Sequence, residues 1–169
     1  WEHFDTDIAD LHTYLRTGEQ IHAWWPCYRE GQTYIYDSNH PFWAQGYHYG
    51  GQPVVVSEYG GMAMEGYPPP AGKPLQACGS ETAARYPARY HDLTRAILDL
   101  TDVCGYCFTQ LTDVEGEVNG VLTYDRRPKV DPELIAAANR EAPAAHPPGR
   151  GETVACPPVG GEVCPPGQA

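Results

Sequence analysis

The feature that most constrains the fold of this chain is the run Pro53-Val54-Val55-Val56-Ser57, which lies between Gly50-Gly51 and Gly60-Gly61. Three consecutive β-branched apolar residues between glycine pairs are typical of a short β-strand. Because the apolar residues are continuous rather than alternating, we expect both faces of this strand to be buried. Such strands are typical of a parallel sheet covered by helices, so the run predicts an α/β fold.

Further elements are predicted on both sides of this strand. Upstream, residues 8–14 fit either a buried strand or one helical turn, and residues 16–41 predict a long loop rich in Trp and Tyr. Downstream, residues 81–100 predict a helix that Ser80 caps. Its buried stripe follows steps of three and four along the sequence: Tyr86, Tyr90, Leu93, Ile97 and Leu100.

A second strand and a last helix complete the predicted order. Residues 105–111 predict another buried strand, and Asp131 and Pro132 provide the cap and first position of a helix that ends near Arg140. From Pro143 onward the composition turns to Pro, Gly, Ala and Glu. We therefore expect one domain over residues 1–142 and a disordered tail over residues 143–169.

This order of strands and helices fits a (β/α)8 barrel or a doubly wound sheet. Both predicted strands end in polar residues, which is where such folds place functional groups. The chain contains no G-x-G-x-x-G or P-loop motif, so a nucleotide site has no support and a barrel is favoured. Since three strands are fewer than eight, the expected fold is the C-terminal portion of a (β/α)8 TIM barrel.

Charge and hydropathy exclude two classes of partner. The chain carries 11 Lys and Arg against 22 Asp and Glu, a net charge of -11. A nucleic-acid binder needs a basic face, so no nucleic-acid partner is expected. No apolar run approaches the roughly 20 residues that span a bilayer, so no membrane partner is expected either. No cofactor is predicted.

The six cysteines only weakly suggest a disulfide framework, because chains of this length pack without such cross-links. Cys104 and Cys107 form a C-x-x-C inside a predicted strand, where residues three apart point to opposite faces. A zinc or redox site is therefore disfavoured, and no metal site is predicted. The cysteines are interpreted as structural or incidental thiols.

Glu58 is the strongest candidate for chemistry, because it directly follows the buried strand and precedes Tyr59-Gly60-Gly61. A carboxylate in that position is held rigidly at the edge of the sheet, facing a pocket. The alternative is a glutamate at a strand end in a structural ion pair or a solvated loop.

Three motifs resemble glycoside hydrolase family 2, which includes β-galactosidases, β-glucuronidases and β-mannosidases. Residues 51–61, around Glu58, are similar to the family's nucleophile strand. Residues 105–113 and 117–129, which end in Asp125-Arg126-Arg127-Pro128-Lys129, are similar to its eighth strand and the turn before its last helix. Trp1-Glu2-His3 with residues 10–14 is similar to the fifth-strand end and sixth strand. The resemblance spans residues 1 to about 140 and implies roughly strands 6–8.

The resemblance implies a retaining, β-galactosidase-like hydrolase that cleaves terminal β-linked sugars, with Glu58 as nucleophile. The family's acid/base glutamate follows the fourth strand, so the chain is expected to be a fragment that lacks it and is inactive alone. Glu117-Val118-Asn119 stands where β-glucuronidases carry Asn-x-Lys, which disfavours a uronic acid substrate. Substrate contacts are expected from residues at the strand ends and from one tryptophan: His12, Tyr14, Trp43, Tyr59, Gln110 and Asp113.

A second function remains compatible with these residues. A non-catalytic carbohydrate-binding or structural remnant of such a barrel would retain the aromatic surface without turnover. In both cases the expected partner is a carbohydrate. Many members of the family are multimeric, so a homo-oligomer of the full-length parent is also compatible with the resemblance.

Overall fold

The computed structural model describes residues 3–29 and 42–141, which form a mixed α/β arrangement. The elements in chain order are β1 (Ala9–Thr13), α1 (Gly18–Arg29), β2 (Val54–Gly60), β3 (Ala63–Met64), β4 (Ser80–Glu81), α2 (Tyr86–Leu98), β5 (Val103–Thr109) and α3 (Pro132–Arg140). The predicted disordered tail, residues 143–169, lies outside the described residues.

A parallel three-stranded sheet positions the site. Its order is β1-β2-β5, and β3 pairs with β4 in a separate, short parallel sheet. A helix lies between each pair of consecutive strands of the larger sheet in the sequence. The prediction of an α/β fold with a parallel sheet is therefore confirmed.

Strand β2 carries a bulge that decides where Glu58 points. Leu11 pairs with Val56, but the next residue, His12, pairs with Glu58, so Ser57 is an extra residue in β2. A bulge of this kind reverses the alternation of faces along the strand. Val54, Val56 and Tyr59 consequently share the fully buried face, whereas Glu58 lies on the opposite face beside His12.

This arrangement corrects two details of the predicted strand. Strand β2 continues through Glu58 to Gly60 instead of ending at Ser57. Only one face is fully buried, because Val55 and Ser57 are half-buried. The strand ends at a glycine pair because Gly60 adopts a φ of 95°, and a Cβ there would overlap the Phe108 ring.

Helices α1 and α2 cover the buried face of the sheet. The core includes Leu11, Val54 and Val56 from the strands, Trp24 and Trp25 from α1, and Leu93 and Ile97 from α2. The expectation of a loop over residues 16–41 was wrong for residues 18–29, which form α1. Thr17 and Gln20 cap this helix reciprocally, with Thr17 Oγ1 accepting from Gln20 N at 3.1 Å and Gln20 Oε1 accepting from Thr17 N at 3.1 Å. Residues 30–41 lie outside the described residues.

The predicted second helix begins later and ends earlier than expected, and four of the five predicted stripe residues are buried in it. The fifth, Leu100, is half-buried and lies beyond the end of the helix at Leu98. Tyr86, Tyr90, Leu93 and Ile97 are all buried in α2, which starts at Tyr86. Ser80 is not its cap, because Ser80 and Glu81 form β4. The helix begins late because Glu81 is held in strand pairing and its carboxylate accepts two hydrogen bonds from Arg89.

The last strand and helix show one correction and one confirmation. Strand β5 ends at Thr109 and is half-buried or exposed along its length, so the expectation of a buried strand over residues 105–111 was wrong. Helix α3 begins at Pro132 as predicted, and the Asp131 side chain accepts a hydrogen bond from Glu133 N at 3.0 Å.

The cysteines divide into two groups. Cys104 and Cys107 lie in β5 and are free and exposed. Cys27 and Cys78 are buried and each forms a disulfide, so the interpretation of all six as thiols was wrong. The physical reason is that buried cysteines from separate parts of the fold meet bonding partners that sequence spacing does not reveal.

Candidate active site

The carboxyl ends of the three parallel strands bring polar side chains to one edge of the sheet. His12 and Tyr14 come from the end of β1, Glu58 from β2, and Thr109 and Gln110 from the end of β5. In parallel α/β sheets this edge is where ligands bind. The bulge in β2 places the Glu58 carboxylate on this edge and away from the helix layer.

Glu58 is held by two neighbours from β1. The Tyr14 hydroxyl donates a short hydrogen bond to Glu58 Oε2. His12 Nδ1 lies 3.2 Å from the same oxygen. The Glu58 side chain remains 36% exposed, so the carboxylate is fixed in position yet accessible to a ligand.

Tyr14 acts as a fixed hydrogen-bond donor to Glu58. Burial raises the pKa of the Tyr14 phenol far above its usual value, and the hydrogen bond to Glu58 and the negative charge of Glu58 raise it further. A hydrogen bond with Thr109 opposes this shift. The phenol therefore remains protonated at neutral pH and donates its proton to the hydrogen bond with Glu58.

A second polar cluster lies beside the first. Gln110 Nε2 donates to Glu117 Oε2 at 3.1 Å and to Asn119 Oδ1 at 2.7 Å. The Glu117 carboxylate is also close enough to raise the pKa of the Tyr14 phenol. The sequence resemblance placed Glu117 where β-glucuronidases carry Asn-x-Lys but did not include it among the expected substrate contacts. The available signal was its spacing of two from Asn119, which puts both side chains on one face of an extended segment.

Three of the predicted substrate contacts, Tyr59, Trp43 and Asp113, are buried. Tyr59 is fully buried on the helix side of β2, where its hydroxyl bonds to Thr94 at 2.8 Å. Trp43 is 7% exposed and packs in the core against Phe42. Asp113 is buried and accepts a hydrogen bond from Lys129 Nζ at 2.6 Å. In the structure, all three side chains make packing or ion-pair contacts. The other predicted contacts, His12, Tyr14 and Gln110, lie at the carboxyl edge of the parallel sheet.

Two other kinds of feature are absent from residues 3–29 and 42–141. No group of three or more His, Cys, Asp or Glu side chains is placed there to hold a metal ion. None of the helices in these ranges is long and apolar enough to cross a membrane.

Comparison with solved structures finds glycoside hydrolases at low identity. A GH2 β-galacturonidase from Eisenbergiella tayi bound to galacturonate matches with a TM-score of 0.52 at 14% identity, over 79% of this chain and 24% of that chain. An exo-β-agarase matches with a TM-score of 0.49 at 15% identity, over 79% and 16%. A Bifidobacterium dentium β-glucuronidase complexed with coumarin-3-O-glucuronide matches with a TM-score of 0.39 at 23% identity, over 53% and 15%.

These matches define what is shown about the chain. The likeness to the β-galacturonidase shows a glycoside-hydrolase-like α/β fold. The chain spans 24% or less of the length of these three structures. No protein-family model matches the chain, and no curated protein matches it by sequence.

Proposed function

We propose that this chain is part of a retaining, β-galactosidase-like glycoside hydrolase of family 2 in which Glu58 is the nucleophile. The observation that supports it most is the half-exposed Glu58 carboxylate, which Tyr14 and His12 hold at the carboxyl edge of a parallel sheet. The resemblance of residues 51–61 to the family's nucleophile strand and the glycoside-hydrolase-like fold support the same assignment. The three strands correspond in this proposal to part of a (β/α)8 barrel.

In the proposed reaction, a Glu58 oxygen attacks the anomeric carbon of a β-linked sugar while the bond to the leaving oxygen breaks. The product is a covalent glycosyl-enzyme, which water hydrolyses in a second step. Tyr14 holds Glu58 Oε2, which leaves Oε1 as the attacking atom. Among the described residues we assign no acid/base carboxylate to this reaction.

Covalent labelling tests the assignment in the full natural protein. A 2-fluoro-β-galactoside with a good leaving group should trap the glycosyl-enzyme, and peptide mass spectrometry should place the label on Glu58. Glu58→Gln keeps the side-chain volume but removes the attacking charge, so turnover should fall by several orders of magnitude, with a much smaller change in substrate affinity.

Chemical rescue sharpens this test. With Glu58→Gly and an activated β-galactoside, azide should occupy the space of the missing carboxylate, attack the anomeric carbon and yield the α-galactosyl azide. Glu65→Gln is the matched control, because Glu65 is an exposed glutamate in the segment that follows β2. A label on another residue, or turnover of Glu58→Gln within tenfold of wild type, would overturn the proposal. If the sugar still bound, either result would favour a non-catalytic carbohydrate-binding role.

A further inference from the structure

Strand β1 contains a carboxylate which the proposed reaction does not use. Asp10 lies two residues before His12, so both side chains point to the face of the sheet opposite the helices, on which Glu58 lies. Asp10 Oδ2 accepts a hydrogen bond from Ser57 Oγ at 2.7 Å. Asp10 is therefore bonded across the sheet to the residue that directly precedes Glu58.

Ser57 is the extra residue of the bulge in β2, so no residue of β1 pairs with it. The extra residue of a bulge is left out of the ladder of backbone hydrogen bonds. The Ser57 hydroxyl fastens this residue to β1 instead, because it reaches both Asp10 Oδ2 and, at 3.2 Å, the Leu11 carbonyl oxygen. Both acceptors lie directly before the shift in register. Since Ser57 and Glu58 share a peptide bond, a change in the Ser57 backbone also moves Glu58.

A buried histidine fixes Asp10 from the other side. His3 is 6% exposed, and its Nε2 donates a hydrogen bond to the Asp10 carbonyl oxygen at 2.7 Å. The same nitrogen lies 3.6 Å from Asp10 Oδ1. His3 and Asp10 therefore support the strand segment from which Glu58 projects. Tyr14 and His12 hold the other end of that side chain.

We propose that Asp10 is a positioning residue for Glu58, which acts by fixing Ser57 in the bulge. The bulge sets the direction of the Glu58 side chain, and a fixed bulge keeps its carboxylate in contact with Tyr14 and His12. This inference rests on the proposed function, since the placement of Glu58 affects turnover only if Glu58 is the nucleophile. A displacement of about 1 Å at a reacting group can lower turnover about 100-fold.

The test removes each partner of the hydrogen bond in the full natural protein. Ser57→Ala and Asp10→Ala should each lower kcat per folded molecule about 10- to 100-fold and leave KM within about threefold of wild type. The double variant should lose no more than either single variant, because both residues act through one hydrogen bond. The rate at which a 2-fluoro-β-galactoside labels Glu58 should fall in parallel with kcat.

Two conservative variants separate the hydrogen bond from the charge of Asp10. Ser57→Thr keeps the hydroxyl, and Asp10→Asn removes the charge but can still bond to Ser57, so both should retain kcat within about threefold of wild type. Thr123→Ala is the matched control, because it removes a hydroxyl–carboxylate hydrogen bond to Asp125 in an exposed turn and should leave kcat unchanged. Three results would overturn the inference: unchanged kcat in Ser57→Ala or Asp10→Ala, an equal loss in Asp10→Asn and Asp10→Ala, or an equal loss in Thr123→Ala.

The position of the carboxylate separates this inference from the proposed function. Crystal structures of wild type and Ser57→Ala would compare the distance between His12 Nδ1 and Glu58 Oε2, which is 3.2 Å here and should increase by about 1 Å in the variant. A displaced carboxylate in a protein whose Glu58 is never labelled would retain the positioning role and reject the glycosidase. Labelling of Glu58 in wild type, with an unmoved carboxylate and unchanged kcat in Ser57→Ala, would retain the glycosidase and reject the role of Asp10.

Discussion

Tyr14 donates a hydrogen bond to the Glu58 carboxylate, so the contribution of its hydroxyl can be tested separately from that of the carboxylate. Tyr14→Phe removes the hydrogen bond to Glu58 Oε2 and keeps the buried ring. A hydrogen bond to a charged group contributes about 1.5–3 kcal/mol. If this contribution is expressed mainly in the transition state, kcat should fall about 10- to 150-fold. KM should change by much less, as steady-state kinetics on an aryl β-galactoside would show.

Tyr59→Phe is the matched control for that experiment. Tyr59 follows Glu58 in the sequence, but the bulge turns it to the helix side, where its hydroxyl bonds to Thr94. This variant should lose about 1 kcal/mol of stability in urea unfolding and keep its kcat per folded molecule. Equal losses of kcat in the two variants would contradict a specific role for Tyr14.

At the scale of elements, the sequence predicted the strand cores and the last helix cap, because these depend on local pattern. Val54 and Val56 are buried as expected, and Asp131 caps α3. The bulge at Ser57 was not predictable, since it depends on pairing with β1, where Ser57 Oγ donates to Asp10 Oδ2 at 2.7 Å. A regular alternation would have turned Glu58 toward the helices.

Other errors concern residues whose role is set by distant partners. Ser80 fits a helix cap locally, yet pairing with β3 places it in a strand. Helix α1 was predictable, because Thr17 and Gln20 have capping-box spacing. At the candidate site, the sequence identified Glu58, His12, Tyr14 and Gln110 as residues of the edge. Asp113 also follows a strand end, but Lys129, sixteen residues away, holds it in a buried ion pair.

That ion pair makes a prediction for the connection between β5 and α3. Lys129→Met leaves the Asp113 carboxylate buried without its partner, and this should cost about 3–5 kcal/mol of unfolding free energy. Asp113→Asn with Lys129→Met removes both charges and retains an acceptor for Gly120 N, so its stability should lie closer to wild type. Urea unfolding of the variants measures both effects.

Lys73→Met is the control, because the Lys73–Glu115 pair is exposed and should contribute nothing measurable. The same variants examine the sequence expectation that Asp113 contacts substrate. If Asp113 has only a structural role, Asp113→Asn should lower the unfolding free energy and leave the KM of the folded fraction unchanged. A tenfold rise in KM in Asp113→Asn at unchanged stability would instead favour the substrate contact.

Across the whole described molecule, the two faces of the larger sheet have different roles. Helices α1 and α2 cover the face that carries Val54, Val56 and Tyr59, and this layer contains most of the apolar core. Glu58 lies on the other face, half-exposed. The helix layer therefore stabilises the sheet without covering the edge at which Tyr14 and His12 hold Glu58.

The disulfides couple this core to the site and give a prediction for the whole molecule. Cys78 and Tyr14 belong to the same core cluster and both lie against Gly61, where an added Cβ would be 2.9 Å from the Tyr14 ring and 3.1 Å from Cys78 Sγ. Cys27→Ser and Cys78→Ser should each lower the unfolding free energy by about 2–4 kcal/mol, which a fall in the thermal midpoint would show. Cys78→Ser should also lower kcat, because Tyr14 would then be held less firmly. Cys104→Ser and Cys107→Ser are the controls, since these thiols are free and exposed.

In mass spectrometry, Cys104 and Cys107 should be alkylated without reductant, and Cys27 and Cys78 only after reduction and unfolding. Alkylation of Cys78 in the native, unreduced protein would show that this coupling is absent.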